Sequence, residues 1–429
     1  MIMKAFEKAA ESVARAVLQC ERVVVVSHDD ADGISSAGLL CNALARAGIP
    51  FQARLTQRLS ADTIEGLEPP IVFCDMGSGQ PEVVSGIKGD VFVLDHHRPV
   101  GSLDCISLNP HNFGIDGAFE MSASGVVYSV VRKMGDNRDL AGLALVGAIG
   151  DRQAMIGANR LILEEGLAAG AVEVRPGLKM AEDGEITEVF TRSIEPLLDF
   201  TGDQERVRAF LREVGVDGKV EDLKGESLTR LSTALVLKLL MQGSFAADSV
   251  IGETIRLKKE VVENAFELVL LLNACGRLER PGVGLTLCLR DRSALTEARR
   301  IADDYRKEIL TGIDLLRRNN KEMENIRYLI AENLHGGGVI AGLGIRYLYT
   351  DKPLIVLNNK DGTVRVSARG NRPLIRRGLD LSIALREAAE SVGGKGGGHS
   401  IASGASIPPG TEEQFLFKLN EIIGGQLKR

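Results

Sequence analysis

The run VVVVSHDDADG, residues 23–33, constrains this chain more than any other stretch. Four successive valines suit a strand buried on both faces, as in a parallel sheet covered by helices. The strand finishes on His28, and Asp29, Asp30 and Asp32 follow within four residues. Carboxylates and an imidazole crowded at the end of a buried strand repel one another and resist desolvation unless a cation lies among them. A metal site is the simplest reading. Alternate residues of a strand face the same side, which would bring Asp30 and Asp32 into one cavity, while Gly33 permits the turn into a helix.

Three other apolar runs end in the same manner: PIVFCDMG on Asp75, DVFVLDHH on Asp95, His96 and His97, and LVGAIGDRQ on Asp151. Taken alone, an aspartate after a strand is more often a helix cap or a turn residue than a ligand. Paired histidines can be a chance polar turn. Four such ends on one sheet are hard to produce by accident, and in parallel sheets functional groups gather beyond the carboxyl ends of the strands. The set mixes carboxylate oxygens with imidazole nitrogens, which suits two hard divalent cations and points to two-metal phosphoester chemistry.

The alternation of β-branched runs with stretches such as GISSAGLLCNALARAG to about residue 150 reads as βαβ units. The predicted fold is α/β, with four segments. A parallel-sheet metal-binding catalytic domain spans 1–190, and a mainly helical insertion spans 191–292, with helical patterns at 204–215, 226–242 and 257–275. A connecting helix lies in 293–325, where apolar residues from Leu295 to Leu316 recur at three- and four-residue steps. A smaller α/β domain occupies 326–429. Its strands KPLIVLNN and TVRVSARG follow the HGGG run at 335–338, where His335 reads as a linker residue, and a helix follows over 380–391.

The opening segment mixes Lys4, Glu7, Lys8 and Glu11 into a helical pattern that a secretory leader would not tolerate, and Lys238 interrupts LSTALVLKLLM, the best candidate for a span. The expectation is a cytoplasmic protein without membrane contact. Six cysteines without a CxxC pair suggest neither a zinc ribbon nor a disulfide framework. A net charge of −6 argues against nonspecific coating of DNA, yet allows an acidic metal cluster beside a local basic groove. Such a groove is suggested near the end of the chain. In GGKGGGHS, Gly393–Ser400, bare backbone N–H groups suit an anion, and Arg365, Arg369, Arg372, Arg376, Arg377, Arg386 and Lys395 converge on it. The plainer reading of the glycines is a flexible turn.

The ordered motifs HxDxDG, D, DHH and D, with the terminal GGKGGGHSIASG, resemble the DHH phosphoesterase superfamily. LLNACGRLERPG and NPHNFGIDGAFEMSASGVVY are similar to segments of its RecJ-like nuclease branch. The resemblance implies that His28, Asp30 and Asp75 hold one metal and Asp32, Asp75, His96 and Asp151 the other, with Asp75 bridging. Asp95 would orient a ligand histidine, and His97 would face the scissile phosphate. Arg369, Lys395, Gly396, Gly397, Gly398 and His399 would grip substrate, aided by Arg277 and by His111, although Arg277 can equally end a helix and His111 can pack in its loop.

The implied function is an exonuclease on single-stranded DNA or RNA, in DNA replication or repair. It would use two divalent ions, manganese preferred and magnesium accepted, to activate a water for in-line attack. The same motifs serve phosphodiesterases or phosphatases acting on short oligonucleotides or cyclic dinucleotides. Other relatives are scaffolds bound to GINS, which admits GINS or other replisome proteins as partners.

Overall fold

The computed structural model describes residues 2–180, 183–360 and 362–427. The chain divides into two compact units, residues 1–176 with 253–305 and residues 177–252 with 306–429.

The first unit is built on β1 (Val23–His28), β2 (Phe51–Thr56), β3 (Ile71–Cys74), β4 (Val91–Leu94) and β5 (Ile106–Leu108), all parallel, in the order β2-β1-β3-β4-β5. Val24, Val26, Ile71, Phe73, Val91 and Val93 share one buried cluster, while Val25, Val72 and Cys74 are equally buried between them. Burial of both faces is why these strands read as unbroken apolar runs. In this order the direction of winding reverses between β1 and β3, and the crevice beyond their carboxyl ends is where doubly wound sheets place their sites. The Ala31–Arg46 helix leaves β1 and packs on the Ala123–Met134 and Ala141–Gly150 helices.

The fourth polar end is therefore not a strand. AGLALVGAIG, residues 141–150, is a helix whose first eight residues are buried. A short run that is apolar on every side carries no periodicity, so pattern alone does not separate a buried helix from a buried strand. The middle of the chain also differs from expectation. The helix expected over 257–275 forms later, as Ala265–Arg277 capped by Asn264, and residue 257 instead ends a strand, β7 (Ile251–Leu257), paired with β6 (Val172–Leu178). That helix and Pro281–Cys288 pack on Ala31–Arg46, and Ala265–Arg277 also packs on Ala141–Gly150. Residues 253–292 thus join the first unit, and the helices Ile186–Arg192, Gln204–Val214 and Gly225–Met241 fall in the second.

The predicted long helix forms as Leu295–Asn319 and carries the chain across the division at 305/306. The second unit holds a mixed sheet of β8 (Lys321–Glu322), β9 (Arg327–Glu332), β10 (Leu354–Lys360), β11 (Thr363–Arg369), β12 (Lys395–Gly398) and β13 (Ala402–Ile407), ordered β12-β13-β11-β10-β9-β8. The glycine run is thus mainly an edge strand, not a loop. Gly396 lies under the Leu381–Glu390 helix, where a Cβ would stand 2.5 Å from Leu385 O, so helix and strand backbones meet directly. Among the described residues no helix is long and apolar enough to cross a membrane.

Candidate metal centre

Strand geometry brings His28 to the end of β1, Asp75 directly after β3, and Asp95, His96 and His97 directly after β4. Asp30 and Asp32 arrive by a different route from strand alternation. The strand ends at His28, Asp30 is the N-cap of the Ala31–Arg46 helix, accepting from Gly33 N at 3.1 Å, and Asp32 lies in its first turn. Asp32 in turn caps a second helix, accepting from Ala123 N at 2.7 Å and Ser124 N at 2.9 Å. Asp151 is the C-cap of the Ala141–Gly150 helix. That helix approaches closely because residue 147 is glycine: a Cβ there would stand 2.0 Å from Ser124 Oγ and 2.1 Å from Asp32 Oδ1.

Seven of the predicted residues converge. His28 Nδ1 is 2.9 Å from Asp30 Oδ2 and 3.5 Å from Asp75 Oδ2. His96 Nε2 is 3.3 Å from Asp151 Oδ2, 3.4 Å from Asp75 Oδ1 and 3.9 Å from Asp32 Oδ2, and His97 Nδ1 is 3.7 Å from Asp75 Oδ1. They form three groups able to hold an ion, with ligand atoms within 4.8 Å of one another: His28, Asp30 and Asp75; Asp75, His96 and His97; and Asp32, His96 and Asp151.

Asp75 belongs to two of these groups, and its backbone is left-handed at φ 58°, a sparsely populated region for a residue with a side chain. Its Oδ1 is buried with no hydrogen-bond partner among the described residues. A buried carboxylate oxygen left without a donor, facing two imidazoles, is what a divalent cation would satisfy, and an oxygen-and-imidazole set without cysteine fits manganese or magnesium.

Electrostatics agrees. Burial opposes charge on every group here, yet the carboxylates prevail over it at the histidines. Burial lowers His28, but hydrogen bonds to Asp30 and Asp75 raise it to about 11. His96 is likewise carried well above its ordinary value by Asp75, Asp151 and Asp32 against burial. Burial and the charge of Asp75 push Asp32 up to about 6, and burial and Asp32 push Asp151 well above the carboxylate range. Without a cation the site gathers protons, which marks an excess of negative charge.

Asp95 is fully buried and accepts from Ser78 N at 2.9 Å, His96 N at 2.8 Å and His97 N at 3.1 Å. It orients His97, whose Nδ1 is 2.8 Å from Asp95 Oδ1, whereas His96 Nδ1 meets the carbonyl of Gly117 at 2.7 Å. The His97 side chain is half exposed and that of His96 largely buried. His111 borders this corner, its Nε2 2.9 Å from where a Gly117 Cβ would stand.

Arg277 ends its helix, is exposed, and bears electrostatically on Asp29 and Asp30. Two of its neighbours in the helix, Asn273 and Gly276, have structural tasks of their own. Asn273 accepts from Ala31 N at 3.0 Å, and a Cβ on Gly276 would stand 1.7 Å from Asp29 O, so NACGR grips the HDDADG turn. Asn109, whose Nδ2 donates to His97 O at 2.8 Å, and Gln153, which donates to Gly117 O at 2.8 Å, lie inside quoted segments without being singled out, and Asn159 lies outside them.

The remaining predicted residues belong to the second unit. Register aligns Lys395 with Ser406 and Arg365, and Gly397 with Gly404 and Ser367, so these side-chain positions share one face with Arg369 and Ala402. Gly396 and Gly398 lie on the opposite face. Lys395, Gly397, Gly398 and His399 are exposed, and Arg369 is part-buried with Nη1 3.0 Å from Ala368 O.

Residues 22–148 match the profile of the DHH family, N-terminal domain, and residues 334–425 that of the DHHA1 domain. An uncharacterized protein of Methanocaldococcus jannaschii is 33 % identical over 444 residues, covering 100 % of this chain and 99 % of that protein. The single-stranded-DNA-specific exonuclease RecJ of Bacillus subtilis is 26 % identical over 199 residues, 41 % of this chain and 25 % of that protein. Among solved structures, RecJ of Thermus thermophilus in complex with Mn2+ matches with a TM-score of 0.64 at 19 % identity, over 98 % of this chain and 55 % of that one. CDC45 from Entamoeba histolytica matches at 0.66 and 12 % identity, over 98 % and 99 %. At such identities the structural likeness is one of fold.

Proposed function

Since the chain belongs to the DHH phosphoesterase superfamily as a RecJ-like member, we propose that it is a divalent-metal-dependent exonuclease acting on single-stranded DNA or RNA. The observation that carries the proposal is Asp75 Oδ1, buried without a hydrogen-bond partner on a residue common to two of the groups that can hold ions. In this reading His28, Asp30 and Asp75 hold one ion, and Asp32, Asp75, His96 and Asp151 the other. Divalent ions bound there supply Lewis acidity and a water nucleophile for phosphodiester hydrolysis.

The chain's own groups have distinct tasks. Asp95 fixes the ring of the half-exposed His97, which faces substrate. Arg277 sets a positive charge beside the acidic turn, suited to a phosphate. Arg369, Lys395 and the bare Gly397 offer a basic sheet face low enough for a sugar–phosphate backbone to lie against. The complete ligand set favours catalysis over a purely structural role.

The test is digestion of end-labelled single-stranded DNA and RNA, beside a dinucleotide, with manganese supplied. Stepwise shortening of the long strands that stops on chelation is expected. Cleavage confined to the dinucleotide would replace the exonuclease with a small-substrate phosphodiesterase.

A further inference from the structure

We infer that Gln153 and Asn159 are positioning residues for His96, acting through the carbonyl of Gly117; the inference rests on the reading of His96 as a metal ligand.

The two nitrogens of His96 face different surroundings. Nε2 looks toward Asp75, Asp151 and Asp32, and Nδ1 lies 2.7 Å from Gly117 O. A carbonyl only accepts, so Nδ1 carries the hydrogen and Nε2 is left to the ion. The direction of that carbonyl therefore sets both the tautomer and the tilt of the ring.

The carbonyl is itself held. Gln153 Nε2 donates to Gly117 O at 2.8 Å, and Gln153 Oε1 accepts from Asn159 Nδ2 at 2.8 Å. Asn159 N donates to Glu120 O at 2.9 Å, which ties the far end of the 117–120 loop to the same segment. Residue 117 has no room for a side chain, since a Cβ would stand 2.2 Å from His96 O. Gln153 is 7 % exposed and Asn159 1 %. Two amides at that depth are costly unless every polar atom is used.

Gln153 is also tied to a candidate ligand. The Ala141–Gly150 helix closes with Arg152 at φ 56° and with Gln153 N donating to Ala148 O at 2.9 Å. One helix end thus delivers a carboxylate from Asp151 and, two residues later, the amide that steadies the imidazole opposite.

The experiment uses the full chain and Gln153→Met, which keeps the length of the side chain and removes its hydrogen bonds. Manganese affinity is read from the free-ion electron paramagnetic resonance signal, with Asp75→Asn beside it. The expected result is a dissociation constant weakened about 10- to 100-fold in Gln153→Met, the range typical for partners of ligating histidines. Unchanged affinity in Gln153→Met, with binding by the wild type and its loss in Asp75→Asn, overturns the relay and leaves the metal reading intact. A wild type that binds no manganese overturns both. Nitrogen-15 histidine spectra of the magnesium-loaded wild type give a readout independent of the variant's folding: His96 is expected as the Nδ1–H tautomer, and a hydrogen on Nε2 overturns the relay.

Discussion

Replacing Asp75 by asparagine keeps its shape and removes its charge, and the structure sets different consequences without and with metal. In metal-free protein the charge acts in both directions: Oδ1 is buried without a hydrogen-bond partner and helps push Asp32 to about 6, while the same carboxylate supports the raised His28 and His96. The rise of Asp32 from 3.8 to about 6 corresponds to roughly 3 kcal/mol. Against it stands the support that the same charge gives His28 and His96, so the net effect of removing it should lie within about 2 kcal/mol. Metal-free Asp75→Asn should therefore unfold within a few degrees of the wild type at pH 7.

With manganese the two proteins should separate. A ligand at a hundred times its dissociation constant stabilises the folded state by about 2.7 kcal/mol, provided the unfolded chain does not bind it. For a unit of this size that is about 5–10 °C of melting temperature. The wild type should gain it, and Asp75→Asn should gain little or none. Differential scanning calorimetry of both proteins, chelated and then titrated with manganese, reads both halves. A metal-free variant destabilised by more than about 2 kcal/mol would make Asp75 a structural residue. An equal manganese gain in both proteins would remove it from the site.

Away from the metal centre, burial raises Asp139 but hydrogen bonds from Arg46 and Arg290 overturn that and hold it at about 2. Because this value is depressed, the stabilisation is fully present above about pH 4 and disappears as pH falls through 2. Urea unfolding should show Asp139→Asn losing up to about 2 kcal/mol at pH 6 and much less near pH 2. In the second unit, Arg369→Ala should weaken single-stranded oligonucleotides of all sequences alike and flatten the log–log salt dependence of binding by under about one unit, as one lost phosphate contact does. Salt-titrated fluorescence anisotropy on metal-free protein measures it, and a slope unchanged from wild type would discount the contact.

Much of the site was legible because it sits where a parallel sheet must place it. Valine and isoleucine runs announce strands buried on both faces, and a polar residue at the end of each is conspicuous. His28, Asp75, Asp95, His96 and His97 were readable in this way. Asp151 was found for a partly mistaken reason, since AGLALVGAIG is uniformly apolar and a helix buried on all sides looks like a strand in sequence. Asn273 and Gln153 act on the backbone of Ala31 and Gly117, distant in the chain, which no local pattern encodes, and Asn159 acts through Gln153. The GGG of residues 396–398 misled in another way: Gly396 answers to the helix packed upon it, and only Gly397 stands open.

The placement of the carboxylates explains how so acidic a cluster can be assembled before any cation arrives. Asp30 and Asp32 are helix caps, one for the helix that follows them and one for the Ala123–Met134 helix. Backbone N–H groups and the positive ends of two helices offset their charge and fix their positions at the same time. Asp95 is held by three backbone N–H groups and an imidazole. Asp75 Oδ1 has no such support, and its residue is the one in this cluster on left-handed backbone. Strain is thus gathered at Asp75, which like His96 is shared by two of the ion-holding groups, where a bound cation would relieve it.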